Sequence, residues 1–302
     1  MGKIEKELNL KEADKKKGIK GISRDSIQRI AALLSLVALF IFFSIAAAPN
    51  FLVPQNLINI MMQTTVTGIL SLGMTFVLIT GGIDLSIGSL IAFSGVMTAV
   101  SIGYGASPVI GVIVGILSGV VLGIISGLLI SKGKLPPFIA SLGMMMFARG
   151  LTLLITEGTP LYFQDAPNFK YFSQGKLGAV PYPVIYFIAL TILSHFILTK
   201  TSIGRYIFAT GSNEEAARLS GIPVDRIKTF VYIYSGLFAA IAGIILAARL
   251  NSAQPTVGEG YELDAVAAAV IGGTSLVGGE GTIAGTIIGA FIMSVLKNGL
   301  NL

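Results

Sequence analysis

Residues 108–131 read PVIGVIVGILSGVVLGIISGLLIS, without one ionisable side chain. A helix of that length rises about 36 Å, enough to cross a hydrocarbon core of about 30 Å. In lipid the backbone must satisfy its own polar groups, so a helix is the form such a run takes. Gly111, Gly115, Gly119, Gly123 and Gly127 recur at every fourth position. That spacing leaves one helix face bare, so another backbone can come close, and it predicts a place in the middle of a helix bundle. Gly281, Gly285 and Gly289 repeat the pattern more briefly near the end of the chain.

Outward from this run, apolar stretches recur at 30–48, 57–80, 86–104, 137–156, 183–199, 229–249, 263–277 and 282–300, the eighth of the nine being short and glycine-interrupted. Hydrophobic residues make up 53% of the chain, charged ones 12%, and mean hydropathy is +0.83. These values exclude a soluble globular domain. The fold class is all-α, a polytopic membrane bundle of about nine spans over 30–302, after a charged tail at 1–29. Ala46-Ala47-Ala48 resembles a signal-cleavage site, but the apolar run and the charged segment before it are too long for a secretion signal. The chain has no cysteine, so neither disulfides nor thiolate metal sites enter.

With the amino terminus inside, 16 of the 21 lysines and arginines fall on the cytoplasmic side: nine before Ile30, then Lys132, Lys134, Lys200, Arg205, Arg218, Arg226 and Lys228. This positive-inside bias puts the aromatic-rich loop 157–182 outside. It also accounts for the net charge of +6 through topology and lipid headgroups, with no need of nucleic acid.

One long polar excursion, at 199–228, interrupts the cytoplasmic side. Ser212 and Glu215 have capping-box spacing, Gly221 is placed to end a helix in a left-handed turn, and Pro223 to open the next. The spacing predicts a two-turn helix from about Asn213 to Ser220. Its two readings are a docking knob for a cytoplasmic partner and a solvated connector.

Two glycine-rich breaks separate spans. Thr80-Gly-Gly-Ile-Asp-Leu-Ser-Ile-Gly-Ser89 lies between the second and third, and Gly272-Gly-Thr-Ser-Leu-Val-Gly-Gly279 between the eighth and ninth. Aligned on their glycine pairs they match at 81/272, 82/273, 85/276 and 88/279, a weak sign of a parallel internal repeat. Irregular backbone at membrane depth survives only where it is buried or lines a cavity. Asp84 reads as a cap for the following helix, with a gating role open beside it. Arg149, inside the fifth span, needs a polar partner. His195, the only histidine, has no acidic neighbour at ligand spacing and predicts no metal site.

No phosphate-cradling G-x-x-x-x-G-K-[ST] loop exists. Gly279-x-Gly281-x-x-Ala284 fits the dinucleotide pattern but runs into an apolar span. No acid, base or metal cluster supports an intramembrane enzyme, and the scarcity of buried acids argues against a secondary transporter with a charged relay.

Together GGIDLSIGS at 81–89, GSNEEAARLSGI at 211–222 and AVIGGTSLVGGEGT at 269–282 resemble the permease subunits of bacterial ABC importers for ribose-type monosaccharides. The resemblance covers about residues 30–302. It implies a multi-pass protein of the bacterial inner membrane, its amino terminus cytoplasmic, that binds no cofactor and hydrolyses nothing itself. ATP is used by a separate ATPase subunit, whose groove receives a coupling helix carried here by Asn213, Glu214, Glu215, Ala216, Ala217, Leu219, Ser220 and Gly221. It places the translocation path at Gly81, Gly82, Asp84, Ser86, Gly88, Ser89, Gly272, Gly273, Thr274 and Ser275. The implied partners are the ATPase, a second permease copy or paralogue, membrane lipid, and an external binding protein. Glu157, Asp165, Lys170, Glu259 and Glu262 offer that protein docking charges. A branched-chain amino acid permease is the nearest alternative. Such permeases usually continue past the equivalent of Asn298–Asn301 with another apolar span, so the resemblance implies either a shortened chain or a last helix the function does without.

Overall fold

The computed structural model describes residues 24–164 and 166–302. Of the charged tail read over 1–29, only Arg24–Arg29 falls within it, as the start of the first helix; the rest, and Asp165, lie outside the described residues.

The helices are α1 Arg24–Ala46, α2 Pro54–Ile79, α3 Ile87–Gly103, α4 Pro108–Ser131, α5 Pro137–Thr156, a short α6 Tyr171–Gln174, α7 Tyr182–Lys200, α8 Ser202–Ser212, α9 Glu214–Leu219, α10 Val224–Leu250, α11 Tyr261–Ile271 and α12 Ile283–Leu300. Each of the nine apolar runs lies on a helix for most of its length. Six of these helices, α2, α4, α5, α7, α10 and α12, are long and apolar enough to cross a membrane, whereas the apolar parts of α1 and α3 are shorter. The eighth run is cut at Gly272, leaving α11 with 11 residues. Its rise of about 16 Å is half a membrane. Proline sets several starts: Pro54, Pro108 and Pro137 each occupy the first helical position, where no N–H is needed.

The centre of the bundle is α2 and α10. Ile69, Leu72, Met74, Phe76 and Leu78 of α2 and Phe238, Ala239 and Ala240 of α10 are wholly buried. Tyr234 packs between Phe76 and Phe238, tilted to both, with ring centroids 4.4 and 4.3 Å away, and its hydroxyl meets that of Ser194 on α7 at 2.7 Å.

The glycine stripe of α4 is packed as its spacing implies. A Cβ added at Gly119 would fall 2.7 Å from the Gly236 carbonyl, and one at Gly123 would fall 2.6 Å from the Tyr232 carbonyl, both on α10. The expected central position is corrected, however. Ile113, Leu117 and Val121 on the other face of α4 are exposed, so this helix flanks the centre. A small-residue stripe reports close approach on one face only.

Four short strands pair between loops: β1 Leu161–Tyr162 pairs antiparallel with β4 Ser252–Ala253, and β2 Lys176–Leu177 with β3 Val180–Pro181. The loop 157–182 is therefore tied to the chain leaving α10.

Candidate functional site

The first break begins where α2 ends. Gly81 takes a left-handed φ of 77°, its N–H donates to Leu78 and that of Gly82 to Val77, which satisfies the helix's last carbonyls. The second break ends α11 in the same way, with Gly273 at φ 92° and N–H donations from Gly273 to Val270 and from Thr274 to Ala269. The two turns are equivalent, but the left-handed residue is the first glycine of one pair and the second of the other. The alignment read from sequence is thus off by one: Gly81 answers to Gly273.

Asp84 is buried, and its carboxylate accepts from the Ser86 N–H at 3.0 Å, the Ser86 hydroxyl at 2.5 Å and the Ser235 hydroxyl of α10 at 2.8 Å. The expected helix cap is corrected. Ser86, not Asp84, flanks α3, and Asp84 forms an Asx turn before it while bolting the break to α10. Ser86, Ser89 and Thr274 are likewise buried, Gly82, Gly88 and Gly272 are enclosed, and Gly81, Gly273 and Ser275 reach the surface to some degree.

The breaks meet the polar excursion at a backbone junction. The Gly279 N–H donates to the Ile79 carbonyl at 2.9 Å, and a Cβ at Gly211, in the last turn of α8, would lie 2.7 Å from the Gly279 nitrogen. A Cβ at Gly278 would lie 2.9 Å from the Gly211 carbonyl and 3.0 Å from the Gly81 nitrogen. Three chain segments touch here without intervening side chains.

Immediately after the junction comes α9. It spans Glu214–Leu219, and Asn213 caps it: the Asn213 Oδ1 accepts from the Ala216 N–H at 2.9 Å. The capping box expected of Ser212 and Glu215 is corrected by one residue, because Ser212 still belongs to α8 and donates its hydroxyl to Phe208. Reading missed α8, whose Gly204 and Gly211 disguise a helix. The ending is as read: Gly221 at φ 81° lets the Ile222 N–H reach Ala217 and its own reach Arg218.

Ala217 is buried beneath α9, while Asn213, Glu214, Glu215, Ala216, Leu219, Ser220 and Gly221 are exposed, Leu219 to 85%. Glu214 pairs with Lys228 at 2.6 Å and Arg218 at 3.3 Å; Asp225 pairs with Arg218 at 2.9 Å and Lys134 at 3.0 Å. Burial pushes the Glu214 carboxyl up, but Lys228 and Arg218 outweigh it and hold it below the ordinary glutamate range. The network ties α9 to α10 and to the turn after α4.

Arg149 finds its partner in backbone. Its Nη1 donates to the carbonyls of Pro255 at 2.5 Å and Val257 at 3.1 Å. The same segment carries Glu259 and Glu262, which line a cavity with Arg149 and Ser89. Glu259 is exposed and Glu262 half-buried.

The match to a family model described as branched-chain amino acid transport system / permease component spans residues 56–302. The chain belongs to that permease family. Among curated relatives, the ribose import permease protein RbsC of Bacillus subtilis (strain 168) is 48% identical over 277 residues, 91% of this chain and 86% of the relative. The protein of the same name from Escherichia coli (strain K12) is 46% identical, covering 89% and 85%. The L-arabinose transport system permease protein AraH of Escherichia coli (strain K12) is 40% identical, covering 92% and 85%. This permease is therefore a multi-pass membrane transport subunit.

Proposed function

We propose that this permease forms the membrane path of an ATP-driven importer for a pentose-type sugar. The observation that carries the reading is the junction of Gly211, Gly279 and Ile79, which makes an exposed helix continuous with both breaks. The sugar class follows from the printed names of relatives at 40–48% identity. α9, with Asn213 to Gly221, seats in a groove of a separate ATPase, where the exposed Leu219 supplies an apolar anchor. Buried Ala217 holds the helix to the body and does not itself touch the partner.

The chain lies in a bacterial inner membrane with its amino terminus in the cytoplasm and nine membrane segments, α11 and the second break together making the eighth. A second permease, identical or paralogous, completes the path, and an external binding protein delivers the sugar. When ATP closes the paired ATPases, each α9 moves with its motor, and the junction passes the displacement to the ends of α2 and α11. The small hydroxyls of Ser86, Ser89, Thr274 and Ser275 suit a neutral polyhydroxylated solute. No step of ATP chemistry falls to this chain.

Purification from the native membrane tests the reading. An ABC ATPase and a pentose-binding protein are expected to co-elute; co-elution of neither would overturn it.

A further inference from the structure

The cavity beside Arg149 has a volume of about 440 Å³ and lies between the first turn of α3, the middle of α5 and the segment leading into α11. Gly88 permits this arrangement: a Cβ there would fall 2.6 Å from the Gly258 carbonyl and collide with the Glu262 carboxylate. Its lining combines Ser89, Arg149, Glu259 and Glu262 with the apolar Met145, Met146 and Leu153.

These charges are gathered but not mutually consumed. Arg149 uses Nη1 on two backbone carbonyls, and Glu262 accepts from the Gly260 N–H at 3.3 Å. Among the described residues, neither acid forms an ion pair with Arg149, and its remaining guanidinium N–H groups make no hydrogen bond. In hydrocarbon, such a set would cost several kcal/mol.

Its chemistry narrows the occupant. An anion meets two carboxylates, and a small cation meets the guanidinium. A neutral molecule that carries hydroxyl donors and acceptors on adjacent carbons satisfies both kinds of group at once. We propose that Arg149, Glu259, Glu262 and Ser89 form a polyol-binding station in the permease, at which a pentose exchanges water for protein on its way through. This rests on the importer reading above and adds to it the place where the solute is held.

Gly150 lines the cavity, and a Cβ there meets nothing within 4 Å. The chain has no cysteine. Gly150→Cys thus introduces one thiol without disturbing the packing. The assembled importer, with its ATPase and binding protein, is reconstituted in vesicles and treated with a membrane-impermeant methanethiosulfonate, and modification is read as a mass shift of the permease. The thiol is expected to react, high pentose to slow the reaction at least threefold, and the modified complex to lose uptake about tenfold while the ATPase stays bound. A thiol that does not react, or one whose reaction ignores pentose and leaves uptake intact, overturns the station. ATP-driven uptake by the wild-type complex reports separately on the importer reading, so the two failures are distinguishable. Glu262→Gln and Arg149→Lys give the second measurement: each is expected to reduce uptake at least fivefold with unchanged ATPase co-purification. Wild-type uptake in both contradicts the proposal.

Discussion

Asp84 shows how far one residue can be read and where reading stops. Its place before an apolar run is visible in sequence, and a short-range bond to Ser86 follows from that alone. The bond to Ser235 does not, because it joins positions 151 apart. Removing the carboxylate leaves buried hydroxyls on both sides without their acceptor, which costs on the order of 1–3 kcal/mol. Asp84→Ala is expected to lower the thermal midpoint of the detergent-solubilised permease clearly, and Asp84→Asn, which keeps one acceptor, to lower it less. Equal midpoints for Asp84→Ala and the parent would refute the bolt. Arg149 was recognisable as a charge in need of a partner. Its partners are main-chain carbonyls, which carry no sequence signature.

At the scale of the element, α9 was legible to within one residue. The stop at Gly221 is a local matter of φ, and the start slipped because Asn213 and Ser212 both make good caps. Glu215 is exposed and forms no ion pair among the described residues, so Glu215→Arg leaves the element folded. That variant is expected to insert normally and to lose co-purification of the ATPase; wild-type yield of the ATPase would remove the coupling role from α9. Glu214 tests the element's own integrity. Because its folded value is lowered, its tie to Lys228 and Arg218 is present above the unfolded value and is lost as pH falls through the folded one. Hydrogen exchange of α9 amides, corrected for intrinsic rate, is expected to quicken as the pH drops from about 7 to about 3, and Glu214→Gln to show fast exchange throughout. Pressed against α10, the α4 stripe gives a plainer contrast. Gly119→Leu is expected to destabilise by about 1–3 kcal/mol or more. Gly143→Ala in α5, where a Cβ meets nothing within 4 Å, is expected to match the parent or gain up to about 1 kcal/mol in the same melt.

For the whole molecule, the membrane helices were legible because each needs only a local run of apolar residues. The arrangement was not. α2 and α10, not the glycine-striped α4, form the centre, and that depends on which helices bury both faces. The charged cavity was invisible for a similar reason: Glu259 and Glu262 look like loop acids until the segment 251–260 folds in against Gly88 and Arg149. The amide clasp of Asn56 with Asn298, two reciprocal bonds at 2.9 and 2.8 Å, likewise joins the start of α2 to the end of α12 across 242 positions. All of this positions one device, an exposed helix whose base touches both breaks. The most direct test is solute uptake into sealed vesicles holding the permease, its binding protein and pentose, with and without the ATPase and ATP. Accumulation only when both ATPase and ATP are present is the expected result. Equal accumulation by vesicles that hold no ATPase would contradict it.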